Sequence, residues 1–351
     1  VKRVLARGQY VMGPEVEELE ARLAEVAGVA YAVACSSGTD ALTMALMAWG
    51  VGPGDAVFTP AFTFVAAAEA ARLLGATPVF LDVDEGSFLM DADLLDKAAE
   101  KVARAGKLRS KAVIPADIFG ALPDYGAISE VAARHGLFVL EDAAQGFGAR
   151  RFGRRAGCFG HAAATSFFPS KPLGCYGDGG AVLTEDGAFA DALRSIRSHG
   201  RGGDKYDNVR VGLNARLDTL QAAIVLVKLG IFDEELSLRA LVAERYLKAL
   251  EGAVTPQRVP AGCASCWSQF SVLAEDAQAR GQIRERLKNL GAQTAVYYPK
   301  PLHLQKAFED LGWREGDLPR AEDICKRIVS LPMHPYLTGD EIETVVRGVR
   351  G

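Results

Sequence analysis

The sequence predicts an α/β protein with a large domain, built on a mainly parallel sheet with helices on both faces, and a smaller α+β C-terminal domain. Through the first two-thirds of the chain, short β-rich runs alternate with longer amphipathic runs. Strands separated by crossover helices pair in parallel. After Pro256 the order becomes strand, helix, strand and closing helices. We therefore expect the large domain over residues 1–234 and the small domain over residues 235–351.

The individual elements follow from the spacing of apolar residues, which has a helical period in some segments and a strand-like pattern in others. In the large domain we predict helices at residues 16–26, 39–48, 64–74, 92–103, 127–135, 189–197 and 217–231, and strands at residues 30–34, 56–59, 78–83, 112–118, 137–140, 163–167 and 181–184. Toward the C-terminus we predict helices at residues 234–250, 278–290 and 321–331, a last helix that begins near residue 339, and strands at residues 269–274 and 295–298.

Composition and charge argue against several classes of protein. The chain has 351 residues, of which 49% are hydrophobic, and its net charge of -4 gives no reason to expect nucleic acid or a membrane surface as partner. No apolar run approaches the roughly 18 residues of a transmembrane helix. Six scattered cysteines and a start too polar for a signal peptide predict a cytoplasmic location. Cys263 and Cys266 lack the second ligand pair of a zinc site, so we expect no metal.

One lysine and one aspartate indicate the chemistry. Lys171 stands in a turn just after a predicted strand, and the flexible run from Gly177 to Gly180 follows it. A lysine amine held where water is scarce loses its proton and forms a Schiff base with an aldehyde. Asp142 ends an earlier apolar strand, and a carboxylate there can keep the ring nitrogen of pyridoxal 5'-phosphate (PLP) protonated. The two residues together predict a PLP enzyme.

Weaker signals elsewhere agree with this interpretation. Gly38 and Thr39 lie between a strand and a helix, where small residues and helix amides can hold a phosphate, although an ordinary helix N-cap explains them equally well. Ser166 lies five residues before Lys171 and can reach the same phosphate. Phe64 can stack on the pyridine ring, although an aromatic residue there is more often part of the core. The order of the signals along the chain favours PLP more than any single one.

These segments resemble the DegT/DnrJ/EryC1/StrS family of nucleotide-sugar aminotransferases. The resemblance covers almost the whole chain and is most specific at residues 37–42, 141–145, 166–180 and 214–218. It implies the aspartate aminotransferase-like fold (fold type I of PLP enzymes), with a seven-stranded sheet in the large domain. Family members usually carry roughly twenty more residues before Gly8, and a substrate contact made there falls outside these expectations.

The resemblance also implies roles for individual residues in the cofactor site. Lys171 is then the Schiff-base lysine and the general acid/base, and Asp142 pairs with the pyridine nitrogen. Gln145 lies near the phenolic oxygen of the ring, and Phe64 lies over the ring.

The phosphate site is implied in the same way and involves two subunits. Gly38, Thr39 and Ser166 hold the phosphate within one subunit. Asn214 reaches the phosphate of the neighbouring subunit, which implies a homodimer whose active sites are shared across the interface.

Some relatives have histidine in place of the lysine and are dehydratases, but this chain keeps Lys171, which favours transamination.

Within the family, residues 165–180, 211–214 and 330–337 are similar to the UDP-2-acetamido-2-deoxy-3-oxo-glucuronate aminotransferases. This similarity implies that glutamate leaves its amino group on the cofactor as pyridoxamine phosphate (PMP), and that a keto nucleotide sugar then receives it for surface polysaccharide. An arginine fork suits the carboxylate of a uronate better than a lysine does. We expect Arg216 to bind it, helped by Tyr298. An exposed ion pair between Arg216 and Asp218 is the ordinary alternative.

Three alternatives remain open at this point. The acceptor can be another 3-keto or 4-keto (6-deoxy) nucleotide sugar, and the aminated carbon and the nucleotide base are not defined by the sequence. The fold can also be a non-catalytic PLP-binding regulatory module, although the complete set Asp142, Gln145, Ser166 and Lys171 argues against it. A nucleotide-binding dehydrogenase is disfavoured because no G-x-G-x-x-G motif follows the first strand.

Overall fold

A computed structural model describes residues 1–204 and 206–351 and has the predicted α/β architecture. Its strands are β1 (Tyr31–Cys35), β2 (Asp55–Pro60), β3 (Thr77–Leu81), β4 (Arg109–Val113), β5 (Phe138–Asp142), β6 (Arg150–Arg151), β7 (Arg154–Arg155), β8 (Ala162–Ser166), β9 (Gly180–Thr184), β10 (Thr255–Pro256), β11 (Cys263–Ala264), β12 (Phe270–Leu273) and β13 (Ile328–Leu331). Its α-helices are α1 (Lys2–Arg7), α2 (Pro14–Ala27), α3 (Gly38–Ala48), α4 (Ala66–Leu73), α5 (Ala92–Ala105), α6 (Tyr125–His135), α7 (Gly187–Arg197), α8 (Thr219–Leu229), α9 (Phe232–Ala249), α10 (Ala277–Asn289), α11 (Pro319–Arg327) and α12 (Gly339–Arg350).

The central sheet has seven strands in the order β1-β9-β8-β5-β4-β2-β3, which confirms the mainly parallel seven-stranded sheet. The pairs between β3, β2, β4, β5 and β8 are parallel. Strand β9 is antiparallel to both β1 and β8. Its pairing with β8 is antiparallel because a loop without a crossover helix joins the two strands. The carboxyl ends of β5 and β8 meet at one edge, where ligands bind in sheets of this type.

Helices cover both faces of this sheet. On one face, α3, α4 and α7 pack against residues such as Val33, Val57 and Val182. On the other face, α2 and α8 pack against neighbours such as Ala181 and Leu183, as the alternation of side chains along a strand requires. None of the helices in the described part of the chain is both long enough and apolar enough to cross a membrane.

The C-terminal part forms a second sheet, in the order β10-β12-β13, with antiparallel pairing. Helices α9, α10 and α12 cover it through a core that includes Val242, Leu287 and Val345. The third sheet is small, in the order β11-β6-β7. The expected boundary at residue 234 falls in the first turn of α9. The division of the chain into two domains at that residue stays a prediction.

Three predicted elements differ from the structure. The predicted strand at residues 295–298 is reduced to one bridge between Ala295 and Ser330. The predicted helix at 321–331 ends at Arg327, and the next residues form β13. The predicted strand at 112–118 begins earlier, at Arg109, and ends as a regular strand at Val113. Beyond it only an isolated parallel bridge joins Ala116 to Asp142, next to Pro115, which has no amide hydrogen to donate to a ladder.

Candidate active site

A cavity of about 450 Å³ opens at the sheet edge where β5 and β8 end and α3 begins. It brings together most of the residues that the sequence singled out. Those that line it are Gly38, Thr39, Phe64, Asp142, Gln145, Ser166, Lys171 and Tyr298. Asn214 and Arg216 do not line it.

The start of α3 forms one wall of this cavity. The Ser37 Oγ accepts a hydrogen bond from the Asp40 amide at 3.0 Å and so caps the helix. A Cβ added to Gly38 would lie 2.7 Å from the Ser166 Cβ, so the approach of α3 to β8 requires glycine. The Ser166 Oγ accepts from the Phe168 amide at 3.2 Å, which leaves its own hydroxyl proton free to donate. Helix amides and this hydroxyl together suit an anion such as phosphate.

Lys171 projects into the cavity from the loop between β8 and β9. Backbone hydrogen bonds hold this loop: the Lys171 amide donates to Phe168 O at 2.8 Å, and the Phe167 amide donates to Gly179 O at 2.7 Å. Within the described ranges, the amine of Lys171 makes no hydrogen bond or ion pair. Burial lowers the pKa of Lys171, while the charge of Asp142 acts in the opposite direction. The amine is therefore available for reaction with a carbonyl group.

Asp142 lies at the end of β5, with 8% of its surface exposed. One carboxylate oxygen accepts from the Ala144 amide at 3.2 Å, and the other accepts no hydrogen bond from the described residues. Burial raises the pKa of Asp142, while the Ala144 amide and the charge of Lys171 lower it. A buried carboxylate with one free oxygen fits a protonated heterocyclic nitrogen.

Gln145 connects the sheet edge to the C-terminal part of the chain. Its Oε1 accepts from the Phe119 amide at 2.9 Å, and its Nε2 donates to the Tyr298 hydroxyl at 3.1 Å. Burial raises the pKa of Tyr298, so its phenol keeps its proton. That proton is free to donate because the Gln145 bond uses the oxygen only as an acceptor. The Tyr298 ring lies 6.3 Å from the Phe64 ring, between ring centres.

Two buried acids lie behind Asp142. The Asp117 carboxylate accepts from the Tyr125 hydroxyl at 2.7 Å, and the Asp117 amide donates to Asp142 O at 3.1 Å. The Glu141 oxygens accept from the amides of Gly157 and Phe159 at 2.7 and 2.8 Å. Burial, together with the neighbouring Glu141, raises the pKa of Asp117 well above its usual range. Asp117 is therefore the member of the pair that holds a proton.

Asn214 and Arg216 form a pair outside the cavity of their own chain. The Asn214 Oδ1 accepts from Nε and Nη2 of Arg216 at 3.0 and 2.5 Å. Arg216 thus pairs with Asn214 rather than with Asp218, the ordinary partner considered for it. The contact of Asn214 with a neighbouring subunit stays a prediction.

Other cavity residues were not expected from the sequence. They include Thr63, Phe168, Ser170, Asp178, Gln269 and Tyr297. Asp178 lies in the glycine-rich run after Lys171, and its position beside that lysine in the sequence could have identified it. No sequence pattern identifies Gln269 and Tyr297, because they reach the cavity only through the folding of the C-terminal part.

The donor set fits PLP. The start of α3 and Ser166 suit its phosphate, and the free oxygen of Asp142 suits its ring nitrogen. The unpaired amine of Lys171 suits its aldehyde. No group of three or more His, Cys, Asp or Glu residues that could hold a metal ion occurs among the described residues.

Comparison with known proteins agrees with this chemistry. Residues 1–350 match the DegT/DnrJ/EryC1/StrS aminotransferase family. A Pseudomonas aeruginosa protein named UDP-2-acetamido-2-deoxy-3-oxo-D-glucuronate aminotransferase is 46% identical over 347 residues, which are 98% of this chain and 92% of that protein.

Solved structures give the same result. A DegT DnrJ EryC1 StrS aminotransferase from Brucella abortus is 47% identical, covers 100% of this chain and 93% of its own, and superposes with a TM-score of 0.96. The S. venezuelae protein DesV, solved in complex with a ketimine intermediate, is 39% identical with a TM-score of 0.94, over 99% of this chain and 92% of its own. The predicted family, enzyme class and cofactor are confirmed. This chain belongs to the DegT/DnrJ/EryC1/StrS family of PLP-dependent aminotransferases.

Proposed function

We propose that this enzyme moves the amino group of glutamate to a keto nucleotide sugar and that the acceptor is UDP-2-acetamido-2-deoxy-3-oxo-glucuronate. The product is the 3-amino sugar used in surface polysaccharide. The observation that carries the transfer is the unpaired amine of Lys171 in one cavity with the buried carboxylate of Asp142. The 46% identity to a protein named for this sugar supports the choice of acceptor.

The chain's own residues hold the cofactor in this proposal. PLP, when bound, supplies an electron sink that lets an amino group and a proton move at the reacting carbon. Gly38, Thr39 and Ser166 hold its phosphate, and Asp142 holds its ring nitrogen. Gln145 would face the ring, and it keeps the Tyr298 hydroxyl in place through their 3.1 Å hydrogen bond.

Lys171 has two tasks. Its Nζ would hold the cofactor through the aldehyde, and as a free amine it would accept a proton at the reacting carbon and give it back. The lowered pKa of Lys171 supports this proton transfer, since a neutral amine is needed to accept the proton. Asp142 has to stay ionised, and the Ala144 amide supports its charge.

Substrate and subunit contacts form the second part of the proposal. Arg216 binds the uronate carboxylate and Tyr298 helps from the other wall, with the Arg216 guanidinium oriented by Asn214. Because this pair lies outside its own cavity, it serves the site of a second copy in a homodimer, where Asn214 reaches the phosphate. A cytoplasmic location remains a prediction from the cysteines.

The two half-reactions test the proposed function separately. Glutamate should convert the PLP form to the PMP form, and this conversion is measured as a loss of visible absorbance. A panel of keto nucleotide sugars should then restore that absorbance, fastest with the 3-oxo-glucuronate. A protein that glutamate leaves unchanged, or that no keto sugar restores, would contradict the proposal. A preference for a 4-keto or 6-deoxy sugar would change the acceptor.

Arg216→Ala tests the carboxylate contact. We expect kcat/KM toward uronates to fall about 10- to 150-fold, because a hydrogen bond to a charged group contributes about 1.5–3 kcal/mol. Activity toward sugars without a carboxylate should be unchanged. Arg22→Ala, at an exposed ion pair with Glu25, serves as the matched control. An equal loss toward all sugars would remove Arg216 from the carboxylate site.

Mixed dimers test the shared site. Lys171→Ala and Asn214→Ala are each expected to be impaired alone. When the two variants are mixed in equal amounts and allowed to exchange subunits, about half of the dimers are hybrids. One of the two sites in each hybrid has both native residues, so about a quarter of all sites should regain activity. No recovery in a mixture proven to contain hybrid dimers would show that Asn214 serves its own chain.

A further inference from the structure

One wall of the cavity carries a glutamine that the cofactor contacts do not use. Gln269 immediately precedes β12 and lines the cavity together with Tyr297 and Tyr298. Its neighbour Ser268 is buried, with 5% of its surface exposed, and donates a hydrogen bond from Oγ to the Gln269 Oε1 at 2.7 Å. The cavity wall therefore presents a carboxamide whose oxygen is already engaged.

The bond from Ser268 determines which end of the carboxamide remains free. A hydroxyl that donates has to meet the oxygen, so the NH2 group is the other end. Among the residues that the structure describes, nothing accepts a hydrogen bond from the Gln269 Nε2. Gln269 therefore offers the cavity two unused N–H donors, whereas one of the two lone pairs of its oxygen is already used by Ser268. Its ligand has to supply an oxygen with a free lone pair.

The chemistry of the two substrates indicates which one this donor serves. The carboxylates of glutamate are bound best by charged, bidentate partners such as arginine. A sugar presents neutral oxygens, which are hydroxyl, ring or acetamido carbonyl oxygens, and a neutral N–H donor matches these without burying an extra charge. The sheet edge and the start of α3 supply the cofactor contacts, so the Gln269 wall is left for the substrate.

We propose that Gln269 is a specificity-determining residue that donates a hydrogen bond from Nε2 to a neutral oxygen of the sugar acceptor. Ser268 is its positioning residue, because it fixes the orientation of the carboxamide. This inference rests on the proposed function, since it needs a sugar as the second substrate. A site built to donate to a substrate oxygen rejects analogues that lack this oxygen, because the donor, already half-buried in Gln269, is then covered by the ligand and left unpaired.

Gln269→Leu tests the proposal in the holoenzyme, with the two half-reactions measured separately. We expect kcat/KM for amination of the keto sugar to fall about 10-fold, as for loss of one neutral hydrogen bond and its desolvated partner. The glutamate half-reaction should stay within about twofold, since it makes no use of this donor. Gln293→Leu, on the exposed surface outside this cavity, is the matched control and should change neither.

Ser268 and direct binding provide further readouts. Ser268→Ala should raise KM for the sugar more than it lowers kcat, and Ser268→Thr, which keeps a hydroxyl, should restore KM. Calorimetry with the amino-sugar nucleotide product should give a Kd about 10-fold weaker for Gln269→Leu than for the wild type. The melting temperature of each variant identifies a loss caused by misfolding.

The outcomes separate this inference from the function on which it rests. If Gln269→Leu loses both half-reactions equally, or neither, the role of Gln269 is overturned. The proposed function still stands in that case, provided that the wild type aminates keto sugars. A loss confined to the glutamate half-reaction would assign Gln269 to the amino donor and also overturn the inference. A wild type inert toward every keto sugar nucleotide would overturn both.

Discussion

Replacing Gly38 by alanine should weaken PLP binding as well as the fold. The added Cβ would lie 2.7 Å from the Ser166 Cβ and 3.3 Å from the Ser166 Cα. The first distance is about 0.7 Å short of an ordinary contact, so α3 and β8 have to separate. Overpacking of this kind costs about 1–3 kcal/mol. Both groups that move carry donors for the phosphate, so we expect the Kd for PLP to rise about 5- to 150-fold.

The assay is a titration of the apoprotein with PLP, followed by absorbance, together with thermal unfolding of the apoprotein. Gly38 does not have a positive φ, so alanine introduces no backbone strain and the effect reports the clash alone. Gly281→Ala in α10 is the matched control, because nothing lies within 4 Å of its added Cβ. It should stabilise the protein by up to about 1 kcal/mol through helix propensity, with the Kd for PLP unchanged. A Gly38→Ala protein that binds PLP within about twofold of the wild type would refute this reasoning.

Three further substitutions give distinct expected results. Lys171→Ala should still bind PLP, but borohydride reduction should no longer label the protein, and activity should fall at least about 1000-fold; a label on another residue in the wild type would contradict the assignment. Asp142→Asn should weaken PLP binding and lower kcat, because an amide cannot stabilise the ring-nitrogen proton; equal kcat in variant and wild type would exclude that role. Asp117→Asn should be more stable than the wild type at neutral pH. The raised pKa of Asp117 means that its carboxyl group keeps a proton in the folded protein. The unfolded chain loses this proton above a pKa of about 3.9, so the stability of the wild type falls as pH rises from there toward the pKa of the folded state. Urea unfolding between pH 5 and 8 should show a shallower pH dependence in the variant, and identical dependence would mean that Asp117 is ionised in the fold.

The sequence predicted those helices and strands that are determined by the spacing of apolar residues within the segment itself. The alternation of strands and helices through residue 197 corresponds to elements in the structure, because amphipathic helices and buried strands have different periods. It failed at residues 328–331, where Ala321, Ile324, Cys325 and Ile328 continue a helical spacing. All four are buried. Pairing with β12 decides the conformation of that segment, and no local pattern reports such long-range pairing.

The candidate site shows the same division. Lys171, Asp142 and Ser166 were identifiable because each follows or ends a strand of recognisable pattern. The acid pair of Asp117 and Glu141 was not, since its chemistry depends on burial and on a neighbour 24 positions away. Gln269 reaches the cavity only after the C-terminal sheet has formed, so its position depends on tertiary structure alone.

The position of β1 has a consequence for synthesis of the chain. Strand β1 leads directly into α3, yet among the described strands it pairs in the central sheet with β9 alone, about 150 residues further along. The chain has to be synthesised through Thr184 before that ladder can form completely. Until then β1 has no partner strand in the central sheet. We therefore expect PLP to bind only after β9 has joined the sheet, so fragments that stop short of Gly180 should remain colourless when PLP is added.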